Sequence, residues 1–283
     1  MLSKYVTDVI DKIGMNDDVT ECAPEVRKTA QSTKVCSSNS AITTMKKWLE
    51  TVNSDLDNID NMDAFNVVEE VKQQTNCSDE SCIYFVDSIN LPKADLKKRF
   101  NPKGPSKSVD WLNNSNIDDV LSQYSKLKPK FEHIPYQMMD FKSIGSELSD
   151  IDWKNWLKHY DTLGCILNTD YSTGAGKHWV SIFVDKRKSP ITVEYFDSGG
   201  ALPPQEIVDF LVDTVGELTL LKQKAKDITV AKIQHQQGES ECGVYSLFYI
   251  ISRLFNVPYT LYEHNRIPDE DMEKFRRFLF RHT

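Results

Sequence analysis

Leu2, Tyr5, Val6, Val9, Ile10 and Ile13 recur every three or four positions and stop at Gly14, which predicts a short amphipathic helix closed by a glycine. Ile42, Met45, Trp48, Leu49 and Val52 repeat that spacing, and Leu56, Ile59, Met62, Val67, Val68 and Val71 predict a third helix. The stretch between the first two, ECAPEVRKTAQSTKVCSSNS, is polar. Residues 1–90 therefore read as a helical N-terminal region. Residues 99–109, RFNPKGPSKSV, are rich in Pro, Gly and Ser and read as a connector. The pattern then changes. A helix is expected from Asp110-Trp111-Leu112 onward, with Ile117, Val120, Leu121 and Tyr124 on one side. Compact apolar runs at 164–168, 178–185, 191–196 and 228–233 predict strands. Helices are expected at 204–217, 244–255 and 269–280. Strands and helices mix without regular alternation, which predicts an α+β core domain over residues 91–283.

Charge and cysteines narrow the possible functions. The net charge of −8 over 283 residues disfavours broad electrostatic binding to nucleic acid. No window approaches the roughly 18 uninterrupted apolar residues of a membrane span, and the N-terminus lacks a signal-peptide core, so no membrane partner is expected. Between Glu50 and Glu80 nine acidic residues face one base, Lys72, the composition of a solvated helix face or a docking surface for a basic partner. The six cysteines, Cys22, Cys36, Cys77, Cys82, Cys165 and Cys242, lack metal-ligand spacing. No metal or other cofactor is expected. A chain of this length without export features predicts free thiols in a reducing compartment.

Chemistry concentrates in QHQQGESECGVYSLFYI, residues 234–250. Val244, Leu247, Phe248, Ile251, Leu254 and Phe255 fall on a helix apolar around most of its surface, which predicts a buried central helix. Cys242 then occupies its first turn. Unpaired N–H groups there favour thiolate and can receive an oxyanion, and Gly243 would leave room for a substrate. A nucleophilic cysteine needs a base. Among six histidines, His178 stands out as the first residue of an expected strand after a loop expected to be flexible, 172–177. His235 is close in sequence but on a strand tail. Asp197, at the end of the next strand, would orient the imidazole if the two strands pair antiparallel. Asp185 competes from the far end of the histidine's strand. Gln236, six residues before Cys242, is an uncharged donor suited to an oxyanion, with Gln234 and Gln237 as rivals. Each residue alone also has a structural explanation: a helix start, a strand histidine, a turn aspartate.

The order His178-Trp179, Asp197, Gln236 and Glu241-Cys242-Gly243, spaced 19 from histidine to aspartate and 45 from aspartate to cysteine, resembles the cysteine proteases that process ubiquitin-like proteins and the adenovirus-type maturation proteases. The segments NTDYSTGAGKHWVSIFVD, VEYFDSGG, ECGVYSLFYI and IPDEDMEKFRRFLF, with RFNPKGP, NID and QMMDF, resemble a branch of that family, the polyprotein-processing proteases of the African swine fever virus type, over residues 79–283. That branch differs in carrying Asn where Asp197 stands and in lacking a Trp to match Trp111. The resemblance implies a papain-like core in variant order, a central mixed sheet flanked by helices with the nucleophile at the N-terminus of a buried helix. It implies a catalytic set of His178, Asp197 and Cys242, with Gln236 as oxyanion donor. Trp111 and Trp179 would wall a tunnel that admits only Gly-Gly.

The implied function is a viral endopeptidase that cuts structural polyproteins after Gly-Gly during virion maturation, at assembly sites in the host cytoplasm and in the virion. An isopeptidase removing ubiquitin-like modifiers of the SUMO type shares that chemistry. A non-catalytic scaffold module is the reading from another class, and the intact His178, Asp197, Gln236 and Cys242 set argues against it. An acetyltransferase on the same layout would need a basic acyl-CoA site, and no suitable cluster is visible. Gly199-Gly200-Ala201 is itself a Gly-Gly-small sequence, read as a tight turn away from the site rather than a self-cleavage point.

Overall fold

A computed structural model describes residues 4–15, 20–53, 58–105 and 110–281. Leu2, Leu56, His282 and the last four connector residues lie outside them. The chain divides into two units. One comprises Met1–Val9 with Lys107–Phe275, the other Ile10–Ser106 with Arg276–Thr283. The division therefore falls at Ser106 rather than at residue 90, and the last residues group with the helical unit rather than with the core domain.

In the helical unit the apolar spacings become helices. The periodic N-terminal segment forms α1 (Lys4–Ile13), of which only Ile10–Ile13 belong to this unit. α2 (Asn39–Val52) starts where Ser38 Oγ accepts the Ala41 N–H (3.2 Å) and buries Ala41, Ile42, Met45 and Leu49. α3 (Ala64–Thr75) starts at the Asp63 cap and buries Val67, Val68 and Val71. The expected third helix is thus shortened: Ile59–Asn61 is a separate 3₁₀ turn ahead of that cap. The start of the connector is core, because Phe100 is fully buried with Cys22, Met45, Leu49 and Tyr84. Arg27 ties the chain's far end to this core, donating through Nη2 to Phe278 O (2.7 Å).

The expectation of six free thiols needs correcting. Cys22 pairs with Cys36, and Cys77 with Cys82. Cys165 and Cys242 are free and buried. The pairing follows from tertiary closure that spacing does not reveal: Glu80 accepts the N–H of Cys36 (2.8 Å) and of Ser37 (2.7 Å), and Cys22 bridges Phe100.

The other unit is α+β. α4 (Asn114–Leu127) opens on a reciprocal capping box between Asn113 and Asn116. Trp111 and Leu112 are therefore the lead-in to this helix rather than part of it. β1 (Phe131–His133), β2 (Thr162–Asn168), β3 (Trp179–Asp185), β4 (Thr192–Phe196) and β5 (Thr229–Val230) form one sheet in that order. The β1–β2 and β4–β5 pairs are parallel, and the β2–β3 and β3–β4 pairs are antiparallel. β2 and β3 are buried along their whole length, because helices cover both faces. Val180, Ile182 and Val184 pack in the cluster containing Ile207, Phe210, Leu211 and Leu218 of α5 (Gln205–Leu220). The opposite face takes α6 (Cys242–Leu254), every residue of which is buried. Tyr249 stacks on Phe196 with ring centres 4.6 Å apart, and Ser181 donates to Ser246 O. At the far end of α6, Arg253 donates through Nε and Nη2 to the Glu194 carboxylate of β4 (2.8 and 2.7 Å). α7 (Asp269–Arg276) follows.

Candidate active site

Cys242 is the first residue of α6 and is 3% exposed. No side chain caps this helix start, so its first N–H groups keep their partial positive charge for another acceptor. Glu241, which precedes it, instead receives bonds from Ser240.

His178 lies just before β3 rather than in it. The Thr169 N–H, donating to its carbonyl (2.8 Å), extends the β2–β3 pairing to hold it. β3 and β4 are antiparallel neighbours, with Ser181 opposite Phe196. That register brings the entrance of one strand beside the exit of the other. His178 Nε2 lies 2.6 Å from Asp197 Oδ1, and the same oxygen accepts the Gly199 N–H (2.7 Å). Asp185, the competitor, is occupied elsewhere by Arg187. The Cys242 side chain also acts on the imidazole. Burial disfavours the imidazolium, but hydrogen bonds to Asp197 and Cys242, and the negative charge of both, outweigh it and raise His178 to about 10. The loop before His178 is pinned rather than loose: Asp170 accepts the N–H groups of Tyr171 and Gly176, and Ser172 N–H reaches Asp140.

A cavity of about 330 Å³ opens beside His178, lined by Trp111, Gly199, Gln234, Gln236, Gln237, Gly238 and Glu239. The structure separates the three glutamines. Gln234 and Gln237 are exposed, whereas Gln236 is 7% exposed and fixed by Ser198 and Gly238. One amide proton of Gln236 serves Gly238 O, and the second is left for the cavity.

The two tryptophans take different places. Trp111 is 53% exposed and forms part of the cavity wall. Trp179 is buried and does not line the cavity; its indole N–H donates to Leu112 O (3.0 Å), anchoring the segment that carries Trp111. Gly243 also differs from expectation. A Cβ there would stand 3.0 Å from Leu112 Cβ, so the absent side chain admits Leu112 rather than substrate. Gly199 lies in the cavity wall, not away from the site, but as part of a turn. Gly200 has φ +73° and packs on the Ile233–Gln234 backbone.

His235 is fully buried against Phe196, Tyr245 and Tyr262, with Nδ1 accepting the Ile267 N–H (3.1 Å). It has no share in the His178 site. Ser198, Leu112 and Asp269 support the site without having been singled out in the sequence. The first two adjoin residues that were, and Asp269 opens the last helix, where an acidic N-terminal turn was visible as IPDED. Among the described residues no group of three or more metal-ligating side chains gathers.

Residues 86–282 match the profile of the Ulp1 protease family, C-terminal catalytic domain. The cysteine protease of African swine fever virus from a Malawi tick isolate is 39% identical over 233 residues, 74% of this chain and 85% of that one. A relative from a Kenyan pig isolate of the same virus, named SUMO-1 cysteine protease, is 38% identical over the same shares. The crystal structure of the selenomethionine form of an African swine fever virus protease superposes with a TM-score of 0.78 at 30% identity, covering 97% of this chain and all of that one.

Proposed function

The chain belongs to the Ulp1 protease family and is a viral cysteine protease, and from that premise we propose that it is an endopeptidase cutting structural polyproteins after Gly-Gly during particle maturation. The observation that carries the catalytic reading is the 2.6 Å contact of His178 with Asp197 on an imidazole that also feels Cys242, the first residue of the uncapped α6.

In this reading His178 takes the proton from the Cys242 thiol, or the two rest as an ion pair. The sulfur attacks the carbonyl carbon after the second glycine and forms a C–S bond. The oxyanion is held by Gln236 Nε2 and by the first N–H of α6. As the C–N bond breaks, His178 passes its Nδ1 proton to the leaving amine, since Nε2 is engaged by Asp197. Water then adds to the thioester, gives a proton to His178, and releases the acid and the thiolate. Asp197 keeps the ring oriented through both halves. The Gly-Gly preference draws support from the cavity wall, where the Trp111 side chain lies with the backbones of Gly199 and Gly238.

The name of one relative, SUMO-1 cysteine protease, favours a second reading, removal of ubiquitin-like modifiers through the same Gly-Gly end. Action at cytoplasmic assembly sites and in the virion remains part of the proposal, and the two disulfides suit the particle. The test offers wild type and Cys242→Ser three reporters: a Gly-Gly-Ala peptide, a Gly-Ala-Ala peptide and a ubiquitin-like C-terminal tail. The proposal expects cleavage of Gly-Gly-Ala alone among the peptides, faster than of the tail, and none by the mutant. Faster release of the tail would move the second reading ahead. Equal cutting of Gly-Ala-Ala would remove the tunnel.

A further inference from the structure

The Gln236 amide is gripped at both ends. Its Oε1 accepts from Ser198 Oγ (2.7 Å), and its Nε2 donates to Gly238 O (2.9 Å). An amide has one carbonyl and two N–H groups. These bonds decide which end is oxygen and leave the second N–H for the cavity that Gln236 shares with His178. An ungripped glutamine could turn over and present its carbonyl to the site, where it would repel a developing oxyanion.

Each grip is itself fixed. The Ser198 carbonyl accepts the N–H groups of His235 (2.8 Å) and Gln236 (2.9 Å), so one serine holds both the main chain and the side chain of Gln236. Gly238 is set by Asp269. That carboxylate accepts the N–H of Gly238 (2.8 Å) and of Gln237 (3.0 Å), and also the hydroxyl of Tyr245 (2.8 Å). Tyr245 stands one turn beyond Cys242 on α6. A continuous chain of bonds thus runs from the nucleophile's helix through Tyr245, Asp269 and Gly238 to the amide, and Ser198 closes it from the turn after Asp197.

We propose that Ser198 and Asp269 are positioning residues that hold the Gln236 amide with one N–H turned to the reaction centre, an inference that rests on the reading of Gln236 as oxyanion donor. Neither touches the reacting atoms. Both act by removing the alternative orientation of the donor before substrate arrives.

The test compares Ser198→Ala, Asp269→Asn, Gln236→Ala and their combinations on a peptide that the wild-type protein turns over. Gln236→Ala should lower kcat by about 10²- to 10³-fold. Ser198→Ala and Asp269→Asn should each lower kcat by about ten- to a hundredfold with KM unchanged. In the Gln236→Ala background neither should cost anything more, because there is no donor left to orient. Alkylation of Cys242 by iodoacetamide forms no oxyanion and reports only the sulfur and its His178 partner. It should run at the wild-type rate in all three single variants. Full losses that persist in the Gln236→Ala background would overturn the proposal, as would alkylation slowed in parallel with kcat. A Gln236→Ala protein with wild-type kcat would sink the oxyanion reading and this inference together. The Cys242–His178 chemistry, read independently by alkylation, would still stand.

Discussion

Two histidines of this chain are driven in opposite directions by their neighbours. His178 is raised to about 10 because Asp197 and Cys242 outweigh the burial that works against its charge. Its folded-state affinity for a proton exceeds the unfolded one, so its contribution to stability is complete below about pH 6.5 and is lost as pH rises toward 10. For catalysis the same sign places the alkaline limb of the pH–rate profile well above neutrality. Asp197→Ala should pull that limb down by at least about one unit, with a kcat loss of about 10²-fold or more, read from kcat/KM against pH. His235 is lowered to about 4, chiefly by burial, with the Arg266 charge adding to it against a Tyr262 backbone bond. Here the unfolded chain binds the extra proton, so stability falls as pH drops from about 6.5 to about 4, by up to about 3 kcal/mol. Denaturant titrations at several pH values check this, and His235→Gln should flatten the slope in that window. At this scale the sequence was informative where chemistry is written in order along the chain: His178, Asp197 and Cys242 meet. It could not tell Gln236 from its neighbours or foresee Ser198 and Asp269, because those bonds join segments up to 38 residues apart.

The nucleophile's helix is positioned by what its glycine lets in. Leu112 sits against Gly243, and Trp179 holds Leu112 from the sheet side. Gly243→Ala would push its Cβ against the Leu112 side chain, displacing the segment that carries Trp111. The expected outcome is a loss of about 1–3 kcal/mol in thermal or denaturant unfolding, with KM for a Gly-Gly peptide rising as Trp111 shifts. A wild-type KM and unchanged stability would show that the Leu112 contact is slack. The longer elements were readable because their periodicity is decided by burial: α2, α6 and β2–β4 fall within a few residues of expectation. The short ones were not. β1 has three residues and β5 two, and their existence depends on pairing with β2 and β4 rather than on local pattern. The expected strand at 228–233 shrank to β5 because its latter part turns away to receive Gly200 and to carry Gln236 into the site.

At the scale of the molecule the two units draw on different stabilising forces. The protease unit relies on a sheet covered on both faces, and the helical unit adds two covalent links to its core. Closing the loop between Cys22 and Cys36, with a sequence separation of 14, is worth about 3 kcal/mol on the chain-entropy account. Scanning calorimetry with and without dithiothreitol checks this: reduction should lower the unfolding temperature of the helical unit by several degrees, and a Cys22→Ser, Cys36→Ser variant should reproduce the shift without reductant. The division into units was only partly legible, since a connector rich in Pro, Gly and Ser marks where the chain becomes irregular, not which core claims Phe100. The fold also sets a schedule for biosynthesis. Arg27 donates to the carbonyl of Phe278, 251 positions downstream. At about 5–20 residues per second, a ribosome needs roughly 13–50 s to deliver that partner. Through that interval the helical unit is an unfinished product, and residues 107–275 of the protease unit are translated entirely inside the wait.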